Sequence, residues 1–143
     1  MKHSYQTPDG ILTCETDLTA SDCGGYVKVI FNDVEVGFAV LHIHDMHIKI
    51  HKLGINEEHR NRGFGNFLMD FILKWCEAVE IFSANIHACS DISDDMTEKL
   101  KGLTQEKLIT FYEKFGFVKC EKNNWMTLDF KRNGKTTKNI FTY

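Results

Sequence analysis

The 143-residue chain has the length of one ordinary domain, and its 43% hydrophobic residues, with eleven Phe among them, are enough for a packed core. The net charge is -3 with both signs spread along the chain, which excludes the dense basic surface typical of a nucleic-acid-binding domain. The five cysteines are odd in number and contain no C-x-x-C pair, which argues against a disulfide framework and a cysteine-only zinc site and favours a reducing cytoplasm.

Residues 10–54 carry the β-branched and aromatic residues of strands, separated by short turn signals. The pattern predicts four strands at about residues 11–15, 26–31, 35–42 and 47–53. Asn32-Asp33 is typical of a tight hairpin turn, and residues 44–46 indicate another. These strands are expected to form an antiparallel meander.

A helix is predicted from Gly65 onward, because apolar residues recur there at the spacing of one helical stripe. Asp70 and Lys74 are placed to form an i,i+4 ion pair on its other face. The stripe consists of Phe67, Leu68, Phe71, Ile72, Trp75, Cys76 and Val79.

The next predicted elements are a strand at residues 81–88, an acidic segment at residues 90–101 and a second helix. This helix begins at Thr104, a suitable N-cap, and ends at Gly116. Its apolar face is expected to bury Leu108, Phe111, Tyr112 and Phe115.

Two more strands are predicted at residues 117–121 and 125–131, and Asn133-Gly134 indicates a final hairpin turn. The element order β-β-β-β-α-β-α-β-β predicts one α+β domain over residues 1–143. It would have a mixed, mostly antiparallel sheet of about seven strands with two main helices packed on it. The order lacks the strict β-α alternation of a doubly wound sheet.

The segment that carries chemistry is residues 60–65, RNRGFG, between the fourth strand and the first helix. Backbone N–H groups in the first turn of a helix have no intrahelical partner and lie at the positive end of the helix dipole, so they bind anions. Gly63 and Gly65 lack the Cβ atoms that would keep a phosphate away from those amides, and Arg60 and Arg62 add positive charge. The spacing fits neither G-x-G-x-x-G nor a P-loop.

This loop resembles the cofactor loop of the GNAT superfamily of N-acetyltransferases, Q/R-x-x-G-x-G/A at the start of that family's central helix. Leu53-Gly54-Ile55 is similar to the hydrophobic-x-hydrophobic strand that precedes the loop. Residues 111–117, FYEKFGF, resemble the family's second recurring element, aromatic-Tyr-x-x-x-Gly-Phe. Both elements stand in the family order and together cover about residues 48–130.

The resemblance implies that the fourth predicted strand splays from the fifth and that acetyl-CoA lies in the cleft, without a metal. The backbone at residues 53–55 would pair with the pantetheine arm, and Tyr112 would be the general acid that protonates the departing CoA thiolate. The implied cofactor-binding residues are Leu53, Gly54, Ile55, Arg60, Asn61, Arg62, Gly63, Phe64, Gly65 and Asn66.

An amine acceptor must lose a proton before it attacks the thioester, so a base or a chain of waters is expected. The family often has a carboxylate two residues before the first hydrophobic residue, and His51 occupies that position here. An imidazole could serve as base, or this side chain could simply face solvent. A metal site built from His42, His44, His47 and His51 is disfavoured, because the turn at Asp45 scatters them.

The family usually has one or two helices between its first two strands, for which residues 18–25 are too short. The N-terminal helices are therefore expected to be reduced or absent. That predicts either an open cleft suited to a polypeptide or other bulky acceptor, or a wall supplied by the partner subunit of a homodimer. The acidic residues 90–101 would form a lid that attracts a cationic amine, or a solvated loop. No apolar run approaches the roughly 20 residues of a membrane span, so no membrane partner is expected.

The leading interpretation is an N-acetyltransferase that transfers acetyl from acetyl-CoA directly to a primary amine. One alternative is a catalytically weak CoA-binding or interaction module, which the missing carboxylate favours. Another is an acetyltransferase toxin acting on aminoacyl-tRNA, which shares the FYEKFGF element. The absence of a strongly basic face argues against the toxin and against nucleic acid as a partner.

Overall fold

The computed structural model describes residues 1–88 and 103–130. Cys89, the acidic segment 90–101 and the predicted turn at Asn133-Gly134 lie outside these residues. The described residues form eight strands, a short 3-10 turn at Glu57–His59 and two helices. The strands are β1 Lys2–Thr7, β2 Gly10–Glu15, β3 Gly24–Phe31, β4 Val34–His44, β5 His47–Ile55, β6 Ser83–His87, β7 Val118–Lys119 and β8 Trp125–Asp129, and the helices are α1 Phe64–Ala78 and α2 Gln105–Lys114.

All eight strands belong to one sheet with the order β1-β2-β3-β4-β5-β6-β8-β7. Neighbouring strands are antiparallel, except that β5 and β6 are parallel because α1 connects them in a crossover. The mixed, mostly antiparallel α+β sheet expected from the sequence is confirmed. Residues 16–23 lie outside any helix, as the short connection predicted.

The strand β1 was not predicted. It is an edge strand whose residues are mostly polar, so it carries no alternating apolar signal. Tyr5 attaches it to the core: its hydroxyl donates a hydrogen bond to Asp70 of α1 at 2.8 Å, and Asp70 also pairs with Lys74 at 3.0 Å. The predicted i,i+4 pair is therefore present and also receives a hydrogen bond from β1.

Two tight turns set the register of the central hairpins. Asn32 and Asp33 both have positive φ, 50° and 66°, which is the backbone of a type I′ turn. Asp45 and Met46 repeat this conformation with φ of 49° and 64°. Asn and Asp tolerate positive φ better than most residues, which is why the first turn could be read from the sequence.

Both helices pack on the same face of the sheet. Tyr5 contacts α1 and is the cross-strand partner of the buried Leu12 on β2, so α1 lies on the face that carries Leu12. A Cβ on Gly116, just after α2, would lie 3.1 Å from Leu128, whose strand partner is the buried Ala84. Buried strand residues on this face include Leu12, Cys14, Val27, Val29, Leu41, Ile48, Ile50, Ile86 and Met126.

The helices bury a different set of side chains from the predicted one. In α1, Phe67 and Val79 are only partly buried and Met69 is fully buried. In α2 the four predicted residues all belong to or pack against the core, but only Tyr112 is buried, and Leu108, Phe111 and Phe115 are partly buried.

The opposite face of β3, β4, β5, β6 and β8 carries no helix within residues 1–88 and 103–130, and we call it the helix-free face. Cross-strand pairing places Tyr26, Val40 and Lys52 in one row on it, and His42 and Lys49 in the next. All of these except Val40 are exposed, and Tyr26 has 62% of its surface accessible. No helix in the described part of the chain is both long and apolar enough to cross a membrane.

Candidate functional site

The strands β5 and β6 pair over only part of the length of β5. Their parallel ladder pairs His47 with Ser83 and ends where Ile50 meets Ile86, while β5 continues to Ile55. From residue 51 onward, β5 has no partner on this side among the described residues. Backbone N–H and C=O groups of an unpaired strand segment can bond an extended ligand. Within the described residues, the pairing therefore ends where the predicted divergence would begin.

A β-bulge lies where this pairing ends. On β4, Val40 pairs with Lys52 and Leu41 pairs with Ile50, so His51 is an extra residue on β5 with no partner across β4. The bulge turns the exposed His51 toward the helix-free face. There its ring stacks on His42, with centroids 4.9 Å apart and planes 15° apart.

The loop before α1 has the backbone of an anion site. Gly63, the N-cap of α1, has φ of 81°, a conformation in which a Cβ would be strained. Asn61 also has a positive φ, 63°. The helix begins at Phe64, so the amides of Phe64 and Gly65 lie in its first turn, where no intrahelical acceptor is available.

Two glycines at this site are not required by packing. A Cβ on Gly65 would meet only the ring edge of Phe111 at 3.7 Å, an ordinary contact, and a Cβ on Gly54 would meet nothing within 4 Å. Gly37 differs, because a Cβ there would lie 2.6 Å from the Gly54 carbonyl oxygen. Space is therefore left beside β5 and beside the first turn of α1.

The two arginines of the loop have different contacts. The Nε of Arg60 donates a hydrogen bond to the carbonyl oxygen of Ile55 at 2.8 Å, which ties the end of β5 to the loop. Arg62 lies over the rings of Phe31 and Phe64, 5.8 and 5.9 Å from their centroids. The sequence predicted charge at both positions but did not predict the positioning contact of Arg60.

The helix α2 forms the other wall of this region. Lys114 donates a hydrogen bond from its ammonium group to the Asn66 side chain in the first turn of α1. A shallow groove of about 380 Å³ runs along α2 from this point. It is lined by Leu103, Glu106, Lys107, Thr110, Phe111 and Lys114. The sequence did not indicate Lys107 and Lys114 as residues of this site, although their spacing of seven residues places them on one face of the helix.

Tyr112 lies on the inner side of α2. Only 5% of its surface is exposed, and its ring packs against Phe111 and Phe117 with centroids 5.6 and 6.1 Å away. Burial raises the pKa of Tyr112 to about 12, because the ionised form loses its hydration. The hydroxyl is therefore a neutral donor at every physiological pH.

The histidines do not gather into a metal centre in the part of the chain that is described. No group of three or more His, Cys, Asp or Glu side chains is arranged there to hold an ion. His42 and His51 stack on the sheet, His44 pairs with Asp45 at 3.2 Å in the turn, and His47 contacts Ser83 at 2.6 Å.

Residues 23–119 match the family model described as "Acetyltransferase (GNAT) domain". The match contains β5 and β6, the loop at residues 60–65 and Tyr112. No curated protein matches the chain.

Solved structures share the fold. A PaiA N-acetyltransferase from Thermoplasma acidophilum in complex with coenzyme A is 16% identical with a TM-score of 0.56, over 73% of this chain and 60% of that one. A GNAT family acetyltransferase from Elizabethkingia anophelis with acetyl-CoA bound is 14% identical with a TM-score of 0.56, over 91% and 97%. Arabidopsis thaliana Naa50 in complex with the bisubstrate analogue CoA-Ac-MVNAL is 20% identical with a TM-score of 0.55, over 73% and 72%. The chain thus spans less than two thirds of the length of the first of these proteins.

Proposed function

This chain belongs to the GNAT acetyltransferase family, and we propose that it transfers an acetyl group from acetyl-CoA to a primary amine by direct transfer. The observation that carries the proposal is the position of the anion site. The first turn of α1 lies at the end of β5, and β5 is the strand that extends beyond its pairing with β6. A ligand with a phosphate at one end and an extended arm could therefore occupy both at once.

Acetyl-CoA has this shape. Its pyrophosphate would accept hydrogen bonds from the amides of Gly63, Phe64 and Gly65, where the two glycines leave the backbone accessible. The pantetheine arm would pair with the unpaired edge of β5 at Leu53, Gly54 and Ile55. Two of the similar structures hold CoA or acetyl-CoA, which supports this assignment.

The amine nitrogen must lose two protons, one before and one after it attacks, and the departing thiolate must gain one. His51 would take the proton of the ammonium group, so that the free amine attacks the thioester carbon and a C–N bond forms as the C–S bond breaks. Tyr112 would donate a hydrogen bond to the departing thiolate and then its proton. The second proton lost by the amine nitrogen would pass through water and restore the Tyr112 hydroxyl. Because the pKa of Tyr112 is about 12 and that of a thiol about 8.5, the hydrogen bond itself supplies most of the stabilisation.

The acceptor would be the amine of a polypeptide or another bulky molecule. The helix-free face supports this class of acceptor, because His51 is exposed there at the end of the β5–β6 pairing. The bisubstrate analogue in the Arabidopsis structure is a peptide attached to CoA, which agrees with this class of acceptor.

The test is to incubate the protein with acetyl-CoA and a panel of peptides and polyamines, to follow thiol release, and to identify the acetylated product by mass spectrometry. The proposal predicts acceptor-dependent thiol release with one acetylated amine per thiol. Tight CoA binding without thiol release from any acceptor would instead favour the binding module, for which the histidine in place of a carboxylate at position 51 is the specific observation.

A further inference from the structure

The helix-free face carries charges of both signs, and two of its lysines lie beside the candidate base. Lys28, Lys49 and Lys52 are exposed on it, on β3 and β5. The two ion pairs found in the described residues, His44–Asp45 and Asp70–Lys74, involve none of them. Three carboxylates also lie on this side of the sheet: Glu15 opposite Lys28 on β2, Glu35 on β4 and Asp129 on β8. None of them is in a row with Lys49 or Lys52, so the two cations of β5 have no carboxylate opposite them among the described residues.

Aromatic rings hold the two lysines of β5 in place. The ammonium group of Lys49 lies 4.8 Å from the ring centre of Trp125, and that of Lys52 lies 5.5 Å from the ring centre of Phe38. The ring of His87 also packs against that of Trp125, with centroids 5.0 Å apart. A cation held over a ring loses less side-chain entropy when it binds an anion than a freely rotating lysine does.

These cations flank the candidate base. Lys52 follows His51 directly and Lys49 precedes it by two residues, so an acceptor amine at His51 would have a cation within about 7 Å on either side along the strand. Negative side chains next to the acceptor amine would be attracted to these two lysines, and positive side chains in the same positions would be repelled.

We propose that the helix-free face docks the amino end of an acidic polypeptide, with acidic residues directly after the reacting amine. This deepens the proposed function and rests on it for the catalytic step, but the docking can be measured without turnover. The helix-free face extends from β3 to β8, about 19 Å at the usual strand spacing. This length fits five or six residues of an extended peptide. Three lysines are too few for tight binding to a phosphate backbone, which favours a polypeptide over a nucleic acid.

The experiment measures binding of dye-labelled peptides to the CoA-saturated protein by fluorescence anisotropy. The peptides begin Ser-Asp-Glu-Glu, Ser-Gln-Asn-Gln or Ser-Lys-Arg-Lys and are otherwise identical. We expect the acidic peptide to bind about tenfold more tightly than the basic one at low salt, since exposed ion pairs contribute modestly each. The difference should shrink at about 1 M salt, where charges are screened.

The matched variants are Lys49→Glu and Lys52→Glu against Lys2→Glu. Lys2 lies on β1, at the far edge of the sheet, and its substitution changes the net charge by the same amount. We expect each β5 variant to weaken acidic-peptide binding by about threefold, the double variant to prefer the basic peptide, and the Lys2 variant to behave as wild type. Thermal unfolding identifies any variant that fails to fold.

Equal binding of the three peptides, or equal effects of all three variants, would overturn the inference. So would a single-stranded oligonucleotide that competes more strongly than the acidic peptide. Absence of acetyl transfer to every peptide, with the binding preference intact, would contradict the proposed function but not the docking surface.

Discussion

His51 stacks on His42 across the β4–β5 hairpin, with ring centroids 4.9 Å apart. The contact exists because the bulge adds His51 to β5 without a partner on β4, which brings its ring over that of His42. Two exposed histidines on neighbouring strands are thus held in one orientation at the end of the β5–β6 pairing. The arrangement gives the proposed base a fixed position that a free surface side chain would not have.

Replacing the proposed base should separate chemistry from binding. We expect His51→Gln to lower kcat at least about 100-fold, the usual contribution of a general base, with little change in the Kd for acetyl-CoA. His51→Glu should retain more activity than His51→Gln, because a carboxylate can also accept the proton. Steady-state kinetics with one fixed acceptor and calorimetric titration with acetyl-CoA measure the two quantities. A glutamine variant with the wild-type kcat would exclude His51 as the base.

The open space at Gly65 predicts a change that affects the cofactor and not the fold. Gly65→Ala should leave the melting temperature unchanged or higher, because the added Cβ meets only an ordinary contact and Ala favours a helix over Gly. The Kd for CoA should rise about tenfold or more. The added methyl group would keep the phosphate away from the backbone amides, and the charge-assisted hydrogen bonds between them would be lost.

Calorimetric titration with CoA and thermal unfolding measure the two effects. Gly37→Ala is the matched control: its Cβ would clash with backbone at 2.6 Å, so it should lower the melting temperature. If Gly65→Ala binds CoA as wild type does, the pyrophosphate does not lie on this turn.

Much of this site could be predicted from the sequence because its signals are local. The turn before α1 needs the positive φ that Gly63 allows, and the amphipathic stripe indicates where α1 begins. The side chain of Thr104 caps α2 by accepting a hydrogen bond from the Lys107 amide. Asn32 and Asp33 likewise specify a turn by themselves. Such features depend on a few neighbouring residues and not on the rest of the fold.

Other features depend on distant parts of the chain. The edge strand β1 has too few apolar residues to show alternation, and its attachment through Tyr5 to Asp70 spans 65 residues. The bulge at His51 is a property of two strands together, although two successive exposed residues at 51 and 52 break the period-2 pattern. The extent of burial on α2 could not be predicted either, since it depends on how closely α2 approaches the sheet.

Buried thiols predict that the protein loses stability in alkali. Burial raises the pKa of Cys14 and of Cys76 from 9.0 to about 12. Each thiol therefore ionises first in the unfolded chain, so the free energy of unfolding should be constant below about pH 8 and fall between about pH 9 and pH 12, by up to about 1.4 kcal/mol per pH unit for each group.

Urea unfolding at about pH 8 and about pH 10.5 measures this loss. Cys76→Ala should reduce it, whereas Cys120→Ala, at an exposed thiol, should not. A free energy of unfolding that is the same at both pH values would contradict the assigned burial of these thiols.

Steady-state acetyl transfer by Tyr112→Phe tests the central claim most directly. The substitution keeps the buried ring, which packs against Phe111 and Phe117, and removes only the hydroxyl. We predict a fall in kcat of about 100-fold or more, with the Kd for acetyl-CoA and the melting temperature within about twofold and a few degrees of wild type. Acceptor-dependent thiol release at the wild-type rate in Tyr112→Phe would contradict the account.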